Sequence, residues 1–160
     1  LEQPALDAVS SGRPFLGICV GMQMLFDRSE ENPGARGLGV IPGTIRWIPT
    51  EPPAGLKIPQ MQWNRLDVVT ADPLFVGLGE EPGLYFVHSL HGVPNDPAVV
   101  VATTEYGSTL NAAFRVDNVF AAQFHPEKSS TTGLALLSNF VEVCARSAST
   151  SAVPDNEVSA

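Results

Sequence analysis

The sequence predicts an α/β fold, and three observations carry that expectation. An apolar run, Phe15–Ile18, ends at Cys19 between two glycines and leads into Met22-Gln23-Met24-Leu25-Phe26, a strand-to-helix pattern. Short β-branched and aromatic segments then recur through the middle of the chain. Residues 132–145 close it with apolar side chains at helical spacing.

The composition sets bounds on these elements. With 160 residues, 44% hydrophobic and 16% charged, the chain suits one globular domain with a sizeable core. A net charge of −8 argues against nucleic acid or an anionic membrane as partner. No apolar run reaches the length of a membrane-spanning helix, and no signal peptide opens the chain. Two cysteines, Cys19 and Cys144, make no disulfide framework, so a reducing cytoplasm is the expected location.

In order, residues 1–11 read as the tail of a helix closed by Gly12. The chain thus opens within a helix and without an initiator methionine, so upstream sequence is expected to be missing. Phe15–Ile18 reads as a buried parallel strand, 20–28 as a helix and 29–39 as a polar loop. Val40-Ile41 and residues 44–48 read as two strands about a turn at Pro42-Gly43. Residues 49–55, with three prolines, read as a loop, and 66–70 as a strand. Asp72 caps a short helical turn with Pro73 at its first position. Strands are expected at 85–88 and 99–104, and a hairpin at 109–115 and 119–124 about Asp117-Asn118. Leu134, Leu137, Val141 and Cys144 would form the buried face of the last helix, with Phe140 beside them. The domain is expected to span 1–146, and the Ser/Ala-rich stretch 147–160 to be disordered.

Gly17-Ile18-Cys19-Val20-Gly21 has the form of a nucleophile elbow. Such a turn lifts a thiol out of the sheet and sets it at a helix N-terminus, where the thiolate is favoured. The glycines are expected because bulkier residues would crowd the turn. A lone cysteine ending a strand is ordinarily core; the glycines and the strand-then-helix context weigh against that here. A thiol nucleophile needs a base, and His125 follows an apolar strand directly. Pro126 then forces a turn, and Glu127 can accept from the imidazole and hold its tautomer. His88 and His91 have a zinc-like spacing without an evident third ligand, so a structural or substrate-lining role is preferred and no metal is expected. Trp63 is a core or interface residue, and Cys144 a core one.

Gly17-Ile18-Cys19-Val20-Gly21-Met22-Gln23 together with Gln123-Phe124-His125-Pro126-Glu127 resembles the class I (triad-type) glutamine amidotransferases. Gly37-Leu38-Gly39-Val40-Ile41-Pro42-Gly43, Trp63-Asn64, Tyr85-Phe86-Val87-His88-Ser89 and the extension Lys128-Ser129 are similar to the glutaminase subunits of imidazole glycerol phosphate synthases. The resemblance runs from about Arg13 to Val143. It implies a flavodoxin-like sheet flanked by helices, L-glutamine as substrate, no cofactor, and a (β/α)₈ cyclase subunit as the partner that receives ammonia. It further implies Cys19 as nucleophile, His125 as general acid/base and Glu127 as its orienter. Val20 would be an oxyanion donor. Gln23, Ser89 and Leu90 would line the glutamine pocket, and Trp63 and Asn64 would face the partner. The chain departs from the resemblance at Gln60 and Gln62, where the family has histidine and glycine, and at Leu90, where tyrosine is common. The family's first β/α units, with a second oxyanion donor, are expected to be missing, which implies a nearly inactive chain. Rival expectations are another amidotransferase glutaminase such as that of anthranilate synthase, a non-catalytic interaction module on this fold, and a cysteine peptidase.

Overall fold

A computed structural model describes residues 2–49 and 56–151. The element order is α1 (Glu2–Ser10), β1 (Phe15–Ile18), α2 (Val20–Gln23), β2 (Phe26–Ser29), β3 (Ile41–Trp47), β4 (Gln60–Arg65), β5 (Asp67–Val68), β6 (Gly83–His88), β7 (Leu90–Pro94), β8 (Val100–Glu105), β9 (Thr109–Val116), β10 (Val119–Ala122) and α3 (Ser130–Ser151). Single 3₁₀ turns occur at Pro73–Phe75, Pro97–Val99 and Pro126–Lys128. The first of these is capped as its sequence predicts, with Asp72 accepting from the Leu74 N–H at 2.9 Å.

Three sheets form, in the orders β1-β10-β9-β8-β5, β2-β3-β7 and β4-β6. In the largest, β1 and β10 run parallel, from Phe15 opposite Val119 to Ile18 opposite Ala122. The β9–β10 hairpin is antiparallel about Asp117, which adopts φ 47°. All four residues of β10 are buried, because this strand feeds two cores. Phe120 and Ala122 join Phe86, Phe124 and Leu136 on one face, while Val119 and Ala121 join Phe26, Ile41 and Phe114 on the other. Helix α3 covers the first face, and the β2-β3-β7 sheet with α2 covers the second.

Several expectations are corrected. The helix expected over 20–28 ends at Gln23, and Phe26–Ser29 is a strand parallel to β3. Phe26 is fully buried with its ring edge-on to Phe114 at 5.3 Å, and this packing outweighs the local helical pattern. Pro42-Gly43 is no turn: β3 passes straight through it, Gly43 pairs with Pro94, and a Cβ there would lie 2.5 Å from the Val93 carbonyl oxygen. The strand expected at 66–70 is reduced to two residues. In α3 the buried face is Leu136 with Phe140 and Val143, while Leu134 and Val141 are about two-thirds exposed. The helix also continues to Ser151, past the expected domain end at 146. Most of the 49–55 loop and residues 152–160 of the tail lie outside the described residues.

Candidate active site

Cys19 closes β1 with φ 50° and ψ −109°, a left-handed conformation costly for a residue with a Cβ. Its N–H donates to the Ala122 carbonyl at 2.7 Å, which holds the turn against β10. The flanking glycines are not equivalent. A Cβ at Gly17 would lie 3.0 Å from both the Gly21 carbonyl oxygen and Leu25 Cδ1, whereas one at Gly21 would meet nothing within 4 Å. The tight turn therefore requires Gly17, and the positive φ falls on the cysteine itself.

The parallel register brings the second motif to the same place. Ile18 is opposite Ala122, so Cys19 and Gln123 leave the carboxyl ends of adjacent strands together. Gln123 Nε2 donates to Cys19 Sγ at 3.8 Å. Two residues on, His125 Nδ1–H donates to Glu127 Oε1 at 2.6 Å. Its Nε2 is buried with no hydrogen-bond partner among the described residues, so a lone pair remains available there. The His125 N–H donates to the Tyr85 carbonyl at 2.9 Å. The fully buried Ser129 hydroxyl donates to the His125 carbonyl at 2.6 Å and accepts from the Tyr85 N–H at 2.9 Å. The turn bearing His125 and Glu127 is thus clamped to β6. Gly133 lets α3 start directly beneath this turn, where a Cβ would sit 1.9 Å from the Pro126 carbonyl oxygen.

Burial pushes the Cys19 thiol above its usual range, opposed by the Val20 N–H, with the Glu127 carboxylate raising it further and the Lys128 ammonium lowering it. This corrects the expectation of a thiolate stabilised by a helix dipole. Helix α2 has only four residues, too few to build an appreciable dipole, so the thiol needs a base.

A cavity of about 170 Å³ opens beside Val20, lined by Gln23, Arg28, Glu31, Asn32 and Arg36 among others. It carries both signs of charge. The pattern reading missed Glu31 because a strand replaced the expected helix and redirected the loop after it. Val20 and Gln23 line this cavity, and Ser89 and Leu90 do not. The half-buried Ser89 accepts from the Ile48 N–H through its carbonyl at 2.9 Å. Leu90 is 5% exposed and packs into the core, opposite Trp47 in the β3–β7 pair, with its carbonyl hydrogen-bonded to His88.

His88 is buried and held neutral, its pKa lowered to about 4 by burial. Nδ1–H donates to the Leu90 carbonyl at 2.7 Å, and Nε2 lies 2.8 Å from the Gln60 side-chain amide. The Gln60 atom at that distance is Oε1; a neutral imidazole accepts at its second nitrogen, so we assign the amide with its oxygen and nitrogen exchanged and the NH₂ group donating to Nε2. Both nitrogens of His88 are engaged, which removes it as a metal ligand. Gln60 sits opposite His88 in the β4–β6 pair, and Gln62 is exposed opposite Phe86 without disturbing the register. Trp63 is 52% exposed, with its ring edge against Tyr85 at 6.2 Å. The Asn64 side chain is spent on the Glu105 carbonyl at 2.8 Å and the Arg65 N–H at 2.9 Å. Cys144 is half-buried, and both cysteines are free.

Comparison with known proteins places this geometry. Residues 2–144 match the family "Glutamine amidotransferase class-I". The chain is 52% identical over 143 residues to the imidazole glycerol phosphate synthase subunit HisH of Gloeothece citriformis, covering 88% of this chain and 66% of the relative. It is 50% identical over 141 residues to the protein of the same name from Syntrophotalea carbinolica, covering 86% of this chain and 68% of that one. The chain therefore spans about two thirds of the length of these relatives. Among solved structures, a glutamine amidotransferase superposes with a TM-score of 0.64 at 22% identity, covering 90% of this chain and 68% of that one. A glutamine amidotransferase of Thermotoga maritima gives 0.58 at 18% identity, covering 96% and 56%. These two likenesses bear on the fold alone. The family match over almost every described residue, with half-identical relatives, gives the conclusion: the chain belongs to the class-I glutamine amidotransferase family.

Proposed function

We propose that this chain is the glutaminase subunit of an imidazole glycerol phosphate synthase, releasing ammonia from L-glutamine for a (β/α)₈ cyclase subunit in histidine biosynthesis. The observation that carries the reading is the elbow cysteine at the end of β1. Its register with β10 sets the His125–Glu127 pair just past the neighbouring strand.

Cys19 is the nucleophile, and its thiol proton passes to His125 Nε2, the unpartnered nitrogen. Glu127 fixes the reactive tautomer and stabilises the imidazolium. Sulfur attacks the carboxamide carbon of glutamine, and the oxyanion takes a hydrogen bond from the Val20 N–H. The C–N bond breaks as His125 returns the proton to nitrogen, and ammonia leaves a glutamyl thioester. Water, deprotonated by His125, then releases glutamate and the thiol. In the charged cavity Glu31 faces the α-ammonium of glutamine, Arg28 or Arg36 its α-carboxylate, and Gln23 its polar end. Trp63 and Asn64 lie on the β4 surface that meets the cyclase subunit, Trp63 supplying contact area and Asn64 holding the strand end.

A glutamine-analogue diazoketone tests the assignment. In the full-length protein, peptide mass spectrometry is expected to find the adduct on Cys19 and not on Cys144; modification confined to Cys144, or none on Cys19, refutes it. The partner assignment is tested by adding purified cyclase subunit. Co-elution with this chain is expected and is weakened in Trp63→Ala, whereas absence of any complex with the wild type overturns that assignment.

A further inference from the structure

We infer that Gln123 is a further catalytic residue, whose amide N–H stabilises the Cys19 thiolate and ties that stabilisation to the substrate cavity. The inference rests on the proposed role of Cys19 as nucleophile. Gln123 is the first residue beyond β10 and is fully buried. Its backbone is fixed by donation from its N–H to the Ala112 carbonyl at 2.9 Å. A buried primary amide needs partners at both ends. The side chain of Gln123 has two among the described residues. Its Nε2 donates to Cys19 Sγ at 3.8 Å, and its Oε1 accepts from Gln23 Nε2 at 3.3 Å. One end of the amide therefore touches the reacting atom, and the other touches a cavity-lining residue. No hydrophobic contact requires an amide at this position. A leucine or methionine would fill the same space, so the polar group answers to its two partners.

The contact is long for a neutral thiol and strengthens when the sulfur carries charge, since hydrogen bonds to ionised groups are shorter and stronger. Cys19 is half-buried, so water competes only in part for the sulfur and a fixed donor from within the fold still counts. A ligand that engages Gln23 also acts on the orientation of Gln123. Occupation of the cavity and nucleophilicity of the sulfur are thereby connected through two side chains.

The experiment follows the pH dependence of Cys19 alkylation by iodoacetamide, in the full chain carrying Cys144→Ser. Gln123→Met removes the donor at similar volume. Gln123→Glu keeps an oxygen towards Gln23 and sets a carboxylate against the sulfur. Relative to the Cys144→Ser parent, Gln123→Met is expected to react about tenfold more slowly at pH 7, with its midpoint about one unit higher, the scale of one lost hydrogen bond to a charged group. Gln123→Glu is expected to shift further in the same direction. Circular dichroism establishes folding, and if Gln123→Met does not fold, Gln123→Glu decides. An unchanged midpoint in a folded variant overturns the inference. Iodoacetamide needs only a thiol, so this outcome is separate from failure of the diazoketone to label Cys19, which would strike the proposed function instead.

Discussion

Replacing Ser129 with alanine removes one oxygen atom and unbalances the clamp under His125. In the native fold that oxygen donates to the His125 carbonyl and accepts from the Tyr85 N–H, at 2.6 and 2.9 Å. Ser129 has no exposed surface, so water cannot take its place without opening the turn. The variant leaves the Tyr85 N–H unmatched, at a cost of about 1–3 kcal/mol, while the His125 carbonyl keeps the Lys128 N–H at 3.0 Å. The loss of stability is therefore about 1–3 kcal/mol, a sizeable share of the roughly 5–15 kcal/mol typical of a whole domain. For a chain of this size that lowers the melting temperature by roughly 5 °C. Urea unfolding followed by far-ultraviolet circular dichroism measures it, with the slope of the transition unchanged. The neighbouring hydrogen bond from the His125 N–H to the Tyr85 carbonyl remains, so the turn is loosened and not released. On the proposed glutaminase role, kcat should therefore fall while KM for glutamine holds, because the cavity beside Val20 is untouched. A loss below about 0.5 kcal/mol would refute the reasoning, since it would mean that the Tyr85 N–H is satisfied some other way.

Other outcomes follow from the same structure. His88 is neutral in the fold with a pKa near 4, while its ordinary value is 6.5. Below pH 6.5 the unfolded chain binds a proton that the native one refuses, so stability falls as pH drops from 6.5 towards 4, by roughly 3 kcal/mol in all. His91, also lowered by burial, adds in the same direction. Urea midpoints measured at pH 7 and pH 4.5 check this, and His88→Gln should flatten the dependence. Cys19 holds φ 50°, so Cys19→Gly should be more stable than Cys19→Ala by about 1 kcal/mol, reversing the usual preference; thermal melts of the two variants decide it. Gly133→Ala forces a Cβ to within 1.9 Å of the Pro126 carbonyl oxygen and should cost roughly 3 kcal/mol by denaturant unfolding. Trp63 is half exposed, so Trp63→Ala should change stability by under about 1 kcal/mol, read from the same unfolding curves.

The parts of the fold that could be read from the chain are those governed by neighbouring residues. The 3₁₀ turn at Pro73–Phe75 follows from Asp72 and Pro73, whose capping bond and fixed φ are local. The β9–β10 hairpin follows from alternating runs about Asp117-Asn118. Residues 20–28 were not legible, because their apolar spacing suits a helix until Phe26 finds Phe114, a residue distant in sequence. Pro42-Gly43 reads as a turn in isolation, and only the close approach of Val93 and Pro94 explains a glycine inside a strand. The face of α3 was misjudged by about one position, enough to exchange buried Leu136 for exposed Leu134.

For the proposed site, the sequence by itself determined the candidate reactive parts: a cysteine between glycines after a strand, and a histidine, proline and glutamate after another. Those motifs are short, and each depends on backbone geometry within a few residues. The tertiary structure decided what connects them. The β1–β10 register sets Gln123 beside the sulfur, the Ser129 hydroxyl joins the His125 turn to β6, and the cavity gathers Gln23, Glu31, Arg28 and Arg36. It also decided the state of the thiol, which burial raises where the local pattern promised a stabilised thiolate. The reason is range. Turn and strand preferences act between neighbours, whereas desolvation, strand register and the pairing of buried polar groups depend on segments about 100 residues apart in the chain.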